Sequence, residues 1–252
     1  MSVGIGVSGI SGRMGRAVLE TAADRDDVTV EFGVAPDPTD SPVPVVRPNE
    51  VPDAIQHHDP DAIVDFTVPE ATLALAEHCA AAGVALVTGT TGFEDAELER
   101  LEDLAADAAT LRATNFSRGI QAFLRALEPA LAALDGYDVE LAETHHNEKI
   151  DAPSGTAKSI LETITDHRDL EPVYGREGVQ PREDDEVGVL VSRLGDVRGE
   201  HEVRLGDNDE VLTIAHRAED RAVFAAGALD AAAWLATQNP GWYTFGAVID
   251  AS

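Results

Sequence analysis

The segment that most constrains the fold lies near the start of the chain, where a short apolar run, SVGIGVS, is followed at once by spaced glycines. Gly9, Gly12 and Gly15 form G-x-x-G-x-x-G, and a helix-compatible stretch covers Arg13 to Ala23. Strand, tight glycine turn and helix in this order let a backbone approach a pyrophosphate closely, with helix amides facing its charge. The segment therefore predicts a dinucleotide-binding unit.

Strand and helix patterns alternate after this unit. Further strand-like runs lie at Val28–Ala35, Ala62–Thr67 and Ala85–Thr88, and helical patterns lie at Glu70–Ala82 and Glu94–Ala109. This alternation predicts an α/β fold with a Rossmann-type parallel sheet covered on both faces. Between them, the segment from Pro36 to Pro52 holds six prolines, which predicts an irregular loop.

The pattern changes past Gly136. A helix opening at Ser154 is followed by strand-like runs at Val187–Ser192, Glu202–Leu205 and Val211–Ala215, with no helical pattern between them. Consecutive strands favour a second, α+β domain built on a mostly antiparallel sheet. We expect residues 1–115 and 226–252 to form the dinucleotide-binding domain and 116–225 to form a substrate-binding domain.

Three loops are expected at the carboxyl edge of the parallel sheet, where open α/β sheets bind ligands. The first is the glycine turn that contains Gly9, Gly12 and Gly15. The second is Gly89-Thr90-Thr91-Gly92, and the third is Ala113-Thr114-Asn115-Phe116. Asp37 follows the second strand, 25 positions after Gly12, near the ~20 at which an acid meets the adenosine ribose. Together these features predict a cofactor crevice.

Charge narrows the classes of partner. The chain carries 47 acidic and 18 basic side chains, and only Lys149 and Lys158 are lysines. So acidic a chain repels nucleic-acid phosphates, which makes nucleic acid an unexpected partner. With 44% hydrophobic residues interleaved among the charges, it is expected to fold. An acidic, lysine-poor surface is typical of a protein hydrated in concentrated salt, so we expect a halophile's cytoplasmic protein.

Other classes are excluded by what the sequence lacks. No apolar run approaches the ~20 residues of a bilayer span, which predicts no membrane partner. The first residues lack the pattern of a secretory signal. The single cysteine, Cys79, cannot form a disulfide framework or a multi-cysteine metal site.

Polar side chains that can take part in catalysis are most concentrated in the stretch ETHHNEKIDAPSGTA, from Glu143 to Ala157. Ser154 is a candidate N-cap, so the amides of Gly155 and Thr156 would face outward at the positive end of a helix and bind a carboxylate. A rival interpretation is a metal site at Glu143, His145, His146, Glu148 and Asp151. Adjacent strand residues point to opposite faces, however, and no second ligand cluster is evident, so we expect no metal.

The chain resembles a known family. GISGRMGR, GTTGF, ATNFSRG and above all E-x-H-H-x-x-K-x-D-A-P-S-G-T-A are similar to the dihydrodipicolinate reductases of lysine biosynthesis. The later stretches GDVRGEH, AHRAEDR and FAAGAL match in order, so the resemblance covers nearly the whole chain. It implies nicotinamide-dependent reduction of 4-hydroxy-tetrahydrodipicolinate, by way of dihydrodipicolinate, to tetrahydrodipicolinate.

The resemblance also implies roles for individual residues. His145 would be the general acid and His146 a substrate contact, while Lys149 would be a further proton donor and cation, and Gly155 and Thr156 would bind a substrate carboxylate. The cofactor would contact the following residues: Gly9, Ile10, Ser11, Gly12, Arg13, Met14, Gly89, Thr90, Thr91, Ala113, Thr114, Asn115 and Phe116. Family members are homotetramers built through the sheet of the second domain, so this domain would also serve oligomerisation.

The pair Asp37-Pro38 departs from the acid-arginine pair of dual-specificity members, which predicts NADH as the preferred cofactor and NADPH as the weaker one. Two alternatives stay open at this point. Another reductase on the same scaffold is one, although a semialdehyde dehydrogenase would need a catalytic cysteine and Cys79 sits in a predicted helix. The other is a nucleotide sensor that binds the cofactor without turnover.

Overall fold

The structure is a computed structural model that describes residues 2–37 and 39–251, in which the chain divides into two compact units. The first unit holds the chain up to Phe116 and again from Arg221, and the second holds Ser117–Asp220. The sequence patterns place the return at residue 226, but it begins at Arg221 because the helix Ala222–Leu235 packs as one piece on the first unit's strands. The binding roles assigned to the two domains stay predictions.

In the described part of the chain the strands are β1 (Val3–Ser8), β2 (Val28–Val34), β3 (Val45–Val46), β4 (Ala62–Asp65), β5 (Ala85–Thr88), β6 (Ala109–Arg112), β7 (Asp138–His145), β8 (Glu171–Tyr174), β9 (Glu186–Arg193), β10 (Gly199–Asp207), β11 (Glu210–Ala218) and β12 (Gly241–Tyr243). The α-helices are α1 (Arg13–Ala23), α2 (Val51–His58), α3 (Pro69–Ala82), α4 (Asp95–Leu104), α5 (Arg118–Ala133), α6 (Gly155–His167), α7 (Ala222–Leu235) and α8 (Phe245–Asp250). None of these helices has the length and apolar character of a bilayer span.

A seven-stranded sheet in the order β12-β6-β5-β4-β1-β2-β3 forms the first unit, and its paired strands are all parallel. Alternate residues of a strand lie on opposite faces. Val64 and Val87 belong to one core, with α1 and α7, whereas Ile63 and Leu86 belong to another, with α2 and α3. The sheet is thus covered on both faces, which confirms the predicted Rossmann-type α/β fold.

The proline-rich segment is more ordered than the irregular loop predicted for Pro36–Pro52. It contains β3 at the sheet edge, a 3₁₀ turn (Pro48–Glu50) and the start of α2. Prolines are tolerated there because Pro48 and Pro52 occupy initial helical positions, where an N–H has no intrahelical acceptor. Pro38 lies outside the described residues.

A five-stranded sheet in the order β11-β10-β7-β9-β8 forms the second unit, with α5 and α6 packed against one face. The sheet is mixed rather than mostly antiparallel: β10 pairs antiparallel with β7 and β11, but β9 pairs parallel with β7 and β8. The chain crosses over through α6 between β7 and β8, and such a crossover produces parallel strands. Strand β7 is central in this sheet and ends at His145.

Candidate functional site

Four loops follow neighbouring strands at the carboxyl edge of the first sheet. Three are those expected from the sequence: the turn that follows β1 at Gly9 and leads into α1 at Arg13, the loop Gly89–Gly92 after β5 and the loop Ala113–Phe116 after β6. The fourth, Phe66–Val68 after β4, was not expected, because the run AIVDFT indicated only a strand. The strand order β6-β5-β4-β1 places the four loops side by side.

The glycine turn brings backbone amides to this edge. Gly9 adopts a φ of +77°, and the N–H groups of Gly9 and Ile10 donate to the Val34 carbonyl at 3.1 and 3.2 Å. A Cβ on Gly15 would lie 2.3 Å from the Gly9 oxygen, so this glycine lets α1 pack against the turn. Gly12 is the N-cap of α1, whose first turn carries no acidic side chain. The positive end of α1 is therefore suited to an anionic group.

The predicted cofactor residues divide by exposure. The side chains of Ile10 and Phe116 are 2% and 1% exposed and belong to the core, so a cofactor could meet only their backbone. Thr90 is also buried, with 3% exposure. The exposed members of the set are Ser11, Gly12, Arg13, Thr91 and Thr114, and the half-buried ones are Gly9, Met14, Gly89, Ala113 and Asn115.

A cavity of about 320 Å³ lies beside the glycine turn. It is lined by Ser8, Gly9, Val34, Ala35, Pro36, Pro48, Val51, Thr67, Val68, Ala71, Ala74, Leu75 and His78. Small, mostly apolar walls of this kind suit a flat ring system. Asp37 follows Pro36 directly and is exposed, so its carboxylate stands one residue beyond the lining.

In the second unit, the end of β7 brings two titratable side chains to one face of the strand. Glu143 and His145 are two residues apart and are 2% and 8% exposed. The distance from His145 Nδ1 to Glu143 Oε2 is 3.5 Å. The His145 ring also meets the His201 ring edge to face, with centroids 5.1 Å apart. His146 is half-buried and lies just beyond the strand.

Glu143 is the centre of this cluster. The backbone N–H of Ser154 donates to both of its carboxylate oxygens, at 3.1 and 3.2 Å. Both terminal nitrogens of Arg193 lie 3.4 Å from Oε1. His201 Nε2 lies 3.6 Å from Oε2. A buried acid with this many donors is held in one orientation.

These contacts set the protonation states. Burial lowers the pKa of His145 to about 4, against the opposing attraction of the Glu143 charge. Burial alone would raise the pKa of Glu143, but hydrogen bonds from His201 and Ser154 and the nearby His145 outweigh it and bring the pKa to about 2. At neutral pH Glu143 is therefore a carboxylate and His145 an uncharged imidazole.

Helix α6 begins next to this pair. Ser154 is its N-cap, as predicted, and the Ser154 hydroxyl accepts a hydrogen bond from the Ala157 N–H at 3.1 Å. The same hydroxyl lies 3.2 Å from His201 Nε2, so the cap is tied to β10. Gly155 and Thr156 form the first turn, where helix amides attract anions.

Lys149 lies in the loop between β7 and α6. Its Nζ is 2.8 Å from Asp151 Oδ1. Arg193 secures the same loop, since its Nε donates to the Lys149 carbonyl at 3.1 Å and its Nη2 donates to the Asp151 carbonyl at 2.5 Å. The loop thus holds an ammonium group near His145 and the start of α6.

One group of three possible metal ligands occurs among the described residues: Glu143, His145 and His201, whose ligand atoms lie within 4.8 Å of one another. It differs from the set considered from the sequence, since His146, Glu148 and Asp151 are not part of it. The Arg193 guanidinium already supplies positive charge to the same carboxylate, which opposes a second cation there.

Two residues of the His145 cluster were not predicted from the sequence. Arg193 and His201 come from β9 and β10. A weak signal existed for His201, which alternates with Val203 and Leu205 on the core-facing side of its strand.

Family models cover nearly the whole chain. The model described as "Dihydrodipicolinate reductase, N-terminus" matches residues 3–116, and "Dihydrodipicolinate reductase, C-terminus" matches residues 119–249. A protein of Haloarcula marismortui named 4-hydroxy-tetrahydrodipicolinate reductase is 56% identical over 98% of this chain and 99% of its own length. One of the same name from Natronomonas pharaonis is 51% identical, covering 95% and 97%.

Solved structures show the same fold. The dipicolinate-bound dihydrodipicolinate reductase of Paenisporosarcina sp. TG-14 superposes with a TM-score of 0.77 at 23% identity, covering 97% of this chain and 98% of that one. An amine dehydrogenase from Mycobacterium smegmatis gives a TM-score of 0.67 at 11% identity, covering 98% and 96%. Taken with the family models and the close relatives, these matches show that the chain belongs to the dihydrodipicolinate reductase family.

Proposed function

We propose that this enzyme reduces 4-hydroxy-tetrahydrodipicolinate, by way of dihydrodipicolinate, to tetrahydrodipicolinate in the diaminopimelate route to lysine. Family membership supports the reaction. The observation that carries it is the cluster at the end of β7, where His145 pairs with Glu143 at 3.5 Å beside Lys149 and the start of α6. A general acid, a cation and a helix N-terminus are what reduction of an anionic, unsaturated imine requires.

The first unit fits a dinucleotide. The glycine turn has the close packing that only glycine allows at Gly15, the first turn of α1 lacks acidic side chains, and an apolar cavity lies beside it. We assign the diphosphate to the residues at Gly9–Met14 and the adenosine to the cavity, with Gly89–Thr91 and Ala113–Phe116 as further contacts. Reduced nicotinamide, when bound, supplies the hydride.

His145 is assigned as the proton donor. Addition of the hydride to the conjugated imine produces an enamine-like anion that needs a proton. In the free enzyme, however, His145 is neutral at pH 7 because its pKa is about 4. A dicarboxylate next to the ring favours the imidazolium, since opposite charges raise the pKa of a base. The negative charge of the substrate thus raises the pKa of His145, so the ring takes a proton from solvent and can donate it to the reduced substrate.

The other residues of the motif hold the substrate. The amides of Gly155 and Thr156 bind one carboxylate at the positive end of α6. Lys149 exchanges its contact with Asp151 for the anionic substrate and supplies fixed positive charge in an acidic protein. His146 is a further substrate contact.

A coupled assay tests the reaction. Pyruvate, aspartate semialdehyde and the preceding synthase are supplied, and oxidation of the nicotinamide is followed at fixed salt. We expect oxidation that depends on both the synthase and this enzyme. Tight cofactor binding without any turnover would instead indicate a nucleotide sensor and overturn the proposal.

The preferred cofactor is NADH. The exposed Asp37 carboxylate can accept hydrogen bonds from both ribose hydroxyls, whereas it repels a 2′-phosphate. Arg13 and Arg16, both exposed on α1, partly offset that repulsion, so the preference is modest. We predict that kcat/KM is higher for NADH than for NADPH. The Asp37→Ala substitution should reduce the ratio of these two kcat/KM values. A clear preference for NADPH in the wild-type enzyme would contradict the role given to Asp37.

We also propose a homotetramer, assembled through the second sheet in a salt-rich cytoplasm. Leu190 and Val211, on strands β9 and β11, are 46% and 64% exposed and offer apolar contact area.

The chain has 47 acidic and only 18 basic side chains, so the excess negative charges repel one another until salt screens them. The melting temperature and the tetramer content should therefore both rise as KCl is increased from low to molar concentration. Thermal melts and sedimentation velocity measure these, and a flat or falling melting temperature would argue against adaptation to salt.

A further inference from the structure

Asp65, the last residue of β4, is a fully buried acid surrounded by threonine hydroxyls. Its Oδ2 lies 2.7 Å from the hydroxyl of Thr72, 2.9 Å from that of Thr88 and 3.0 Å from that of Thr90. Its Oδ1 accepts a hydrogen bond from the Thr67 hydroxyl at 2.7 Å. A buried carboxylate is costly unless it is hydrogen-bonded, and four hydroxyls meet that need.

The four threonines connect separate parts of the cofactor edge. Thr67 follows β4 and lines the apolar cavity, and Thr72 is on α3. Thr88 ends β5, and Thr90 is in the loop Gly89–Gly92 that follows it. One direct bond joins the two loops, since the Thr67 N–H donates to the Thr90 hydroxyl at 3.1 Å, and a second bond, from the Thr90 N–H to the Thr88 hydroxyl at 3.1 Å, holds the loop after β5 to the end of its own strand. The carboxylate therefore ties the loop after β4 to the loop after β5.

Holding the strands together does not require an acid. Strands β4 and β5 already pair through their backbones from Ala62–Ala85 to Asp65–Thr88, and Val64 and Val87 beside them are apolar. Well-packed apolar side chains usually stabilise a core at least as well as a buried charged group does. Directional hydrogen bonds to a carboxylate, in contrast, determine where each hydroxyl lies.

We propose that Asp65 is a positioning residue for the nicotinamide cofactor. Through Thr67, Thr72 and Thr90, the Asp65 carboxylate holds the loops after β4 and β5 in the shape that binds the dinucleotide. This inference rests on the proposed function. Asp65 does not touch the cofactor, because its side chain is fully buried beneath the loops that do. Its role is separate from that of the His145 cluster, which lies in the other unit.

Two variants test the network, and a third controls for stability. Asp65→Asn removes the charge with little change in shape, and Thr72→Val removes a hydroxyl that is 0% exposed. Thr110→Val is the matched control, because Thr110 is 2% exposed in the same sheet but its hydroxyl donates to the Ala108 carbonyl, outside the network. NADH affinity is measured by fluorescence titration, dipicolinate affinity by calorimetry, and folding by thermal melts.

Asp65→Asn is expected to weaken NADH binding and raise its KM about tenfold, since misplaced binding groups lose affinity steeply. Thr72→Val should also weaken NADH binding. In both variants the affinity for dipicolinate should stay unchanged, and kcat at saturating NADH should change much less than the KM for NADH. Unchanged NADH affinity in both variants, or an equal loss in Thr110→Val, would overturn the inference. If the wild-type enzyme itself failed to bind NADH, the proposed function would fall and this inference with it.

Discussion

Replacing His145 with glutamine is expected to lower kcat by about 10² or more, the usual scale for loss of a general acid. The glutamine amide is polar and can donate to the Glu143 carboxylate, but it cannot deliver a proton. NADH affinity should stay unchanged, because His145 belongs to the second unit and the proposed cofactor residues, up to and including Phe116, belong to the first. Steady-state kinetics with the coupled substrate measure the effect.

The same variant carries a pH signature. The pKa of His145 is about 4 in the unliganded protein, so at pH 7 the ring binds no proton until a dianion arrives and raises that pKa. Binding of a dicarboxylate such as dipicolinate near pH 7 should therefore take up as much as one proton per site, and this uptake should fall as the pH approaches 4, where the ring is already partly protonated before binding. Calorimetry in buffers of different ionisation enthalpy counts the protons.

His167 provides the control for these measurements. It lies at the end of α6, where its Nδ1 is 3.0 Å from the Thr163 carbonyl. His167→Gln should keep both kcat and the proton uptake of the wild-type enzyme. Near-normal turnover in His145→Gln would remove His145 from the mechanism, and proton uptake that persists in it would assign the titrating group elsewhere.

Replacing Lys149 with alanine is expected to have a similar effect on turnover, about 10² or more, because fixed charge aimed at a developing anion is worth that much in other active sites. KM for the substrate should also rise, since the loop loses its cation while Asp151 keeps its negative charge near the site. The chain offers one matched control. Lys158, the only other lysine, is exposed on α6, and Lys158→Ala should leave both kcat and KM unchanged.

The two lysine variants have the same change of charge and composition, so any difference between them reports position. Equal loss in both would mean that removing positive charge from an acidic protein, rather than the place of Lys149, lowers activity. Measuring both at low and at molar KCl separates the two cases, since salt screens a general charge effect but changes a contact within a partly buried site much less.

Much of the fold followed from local patterns. Helix α1 spans Arg13–Ala23 as predicted, and the Ser154 cap lies where the Pro-Ser-Gly-Thr turn indicated. The loop at Pro36–Pro52 was the main error, because proline excludes the interior of a helix or strand but not its first turn or an edge position. The short elements β8, β12 and α8 gave too little periodicity to be recognised.

The sequence by itself determined the units that are contiguous in the chain: the glycine turn, the histidine-lysine stretch and the family to which they belong. Only the tertiary structure decided what surrounds them. Arg193 and His201 reach the site from strands β9 and β10, and Arg193 lies 50 positions along the chain from Glu143. Hydrogen bonds and burial act over a few ångströms in space, whatever the separation along the chain. The pairing of strands therefore decides which groups bury His145 and lower its pKa.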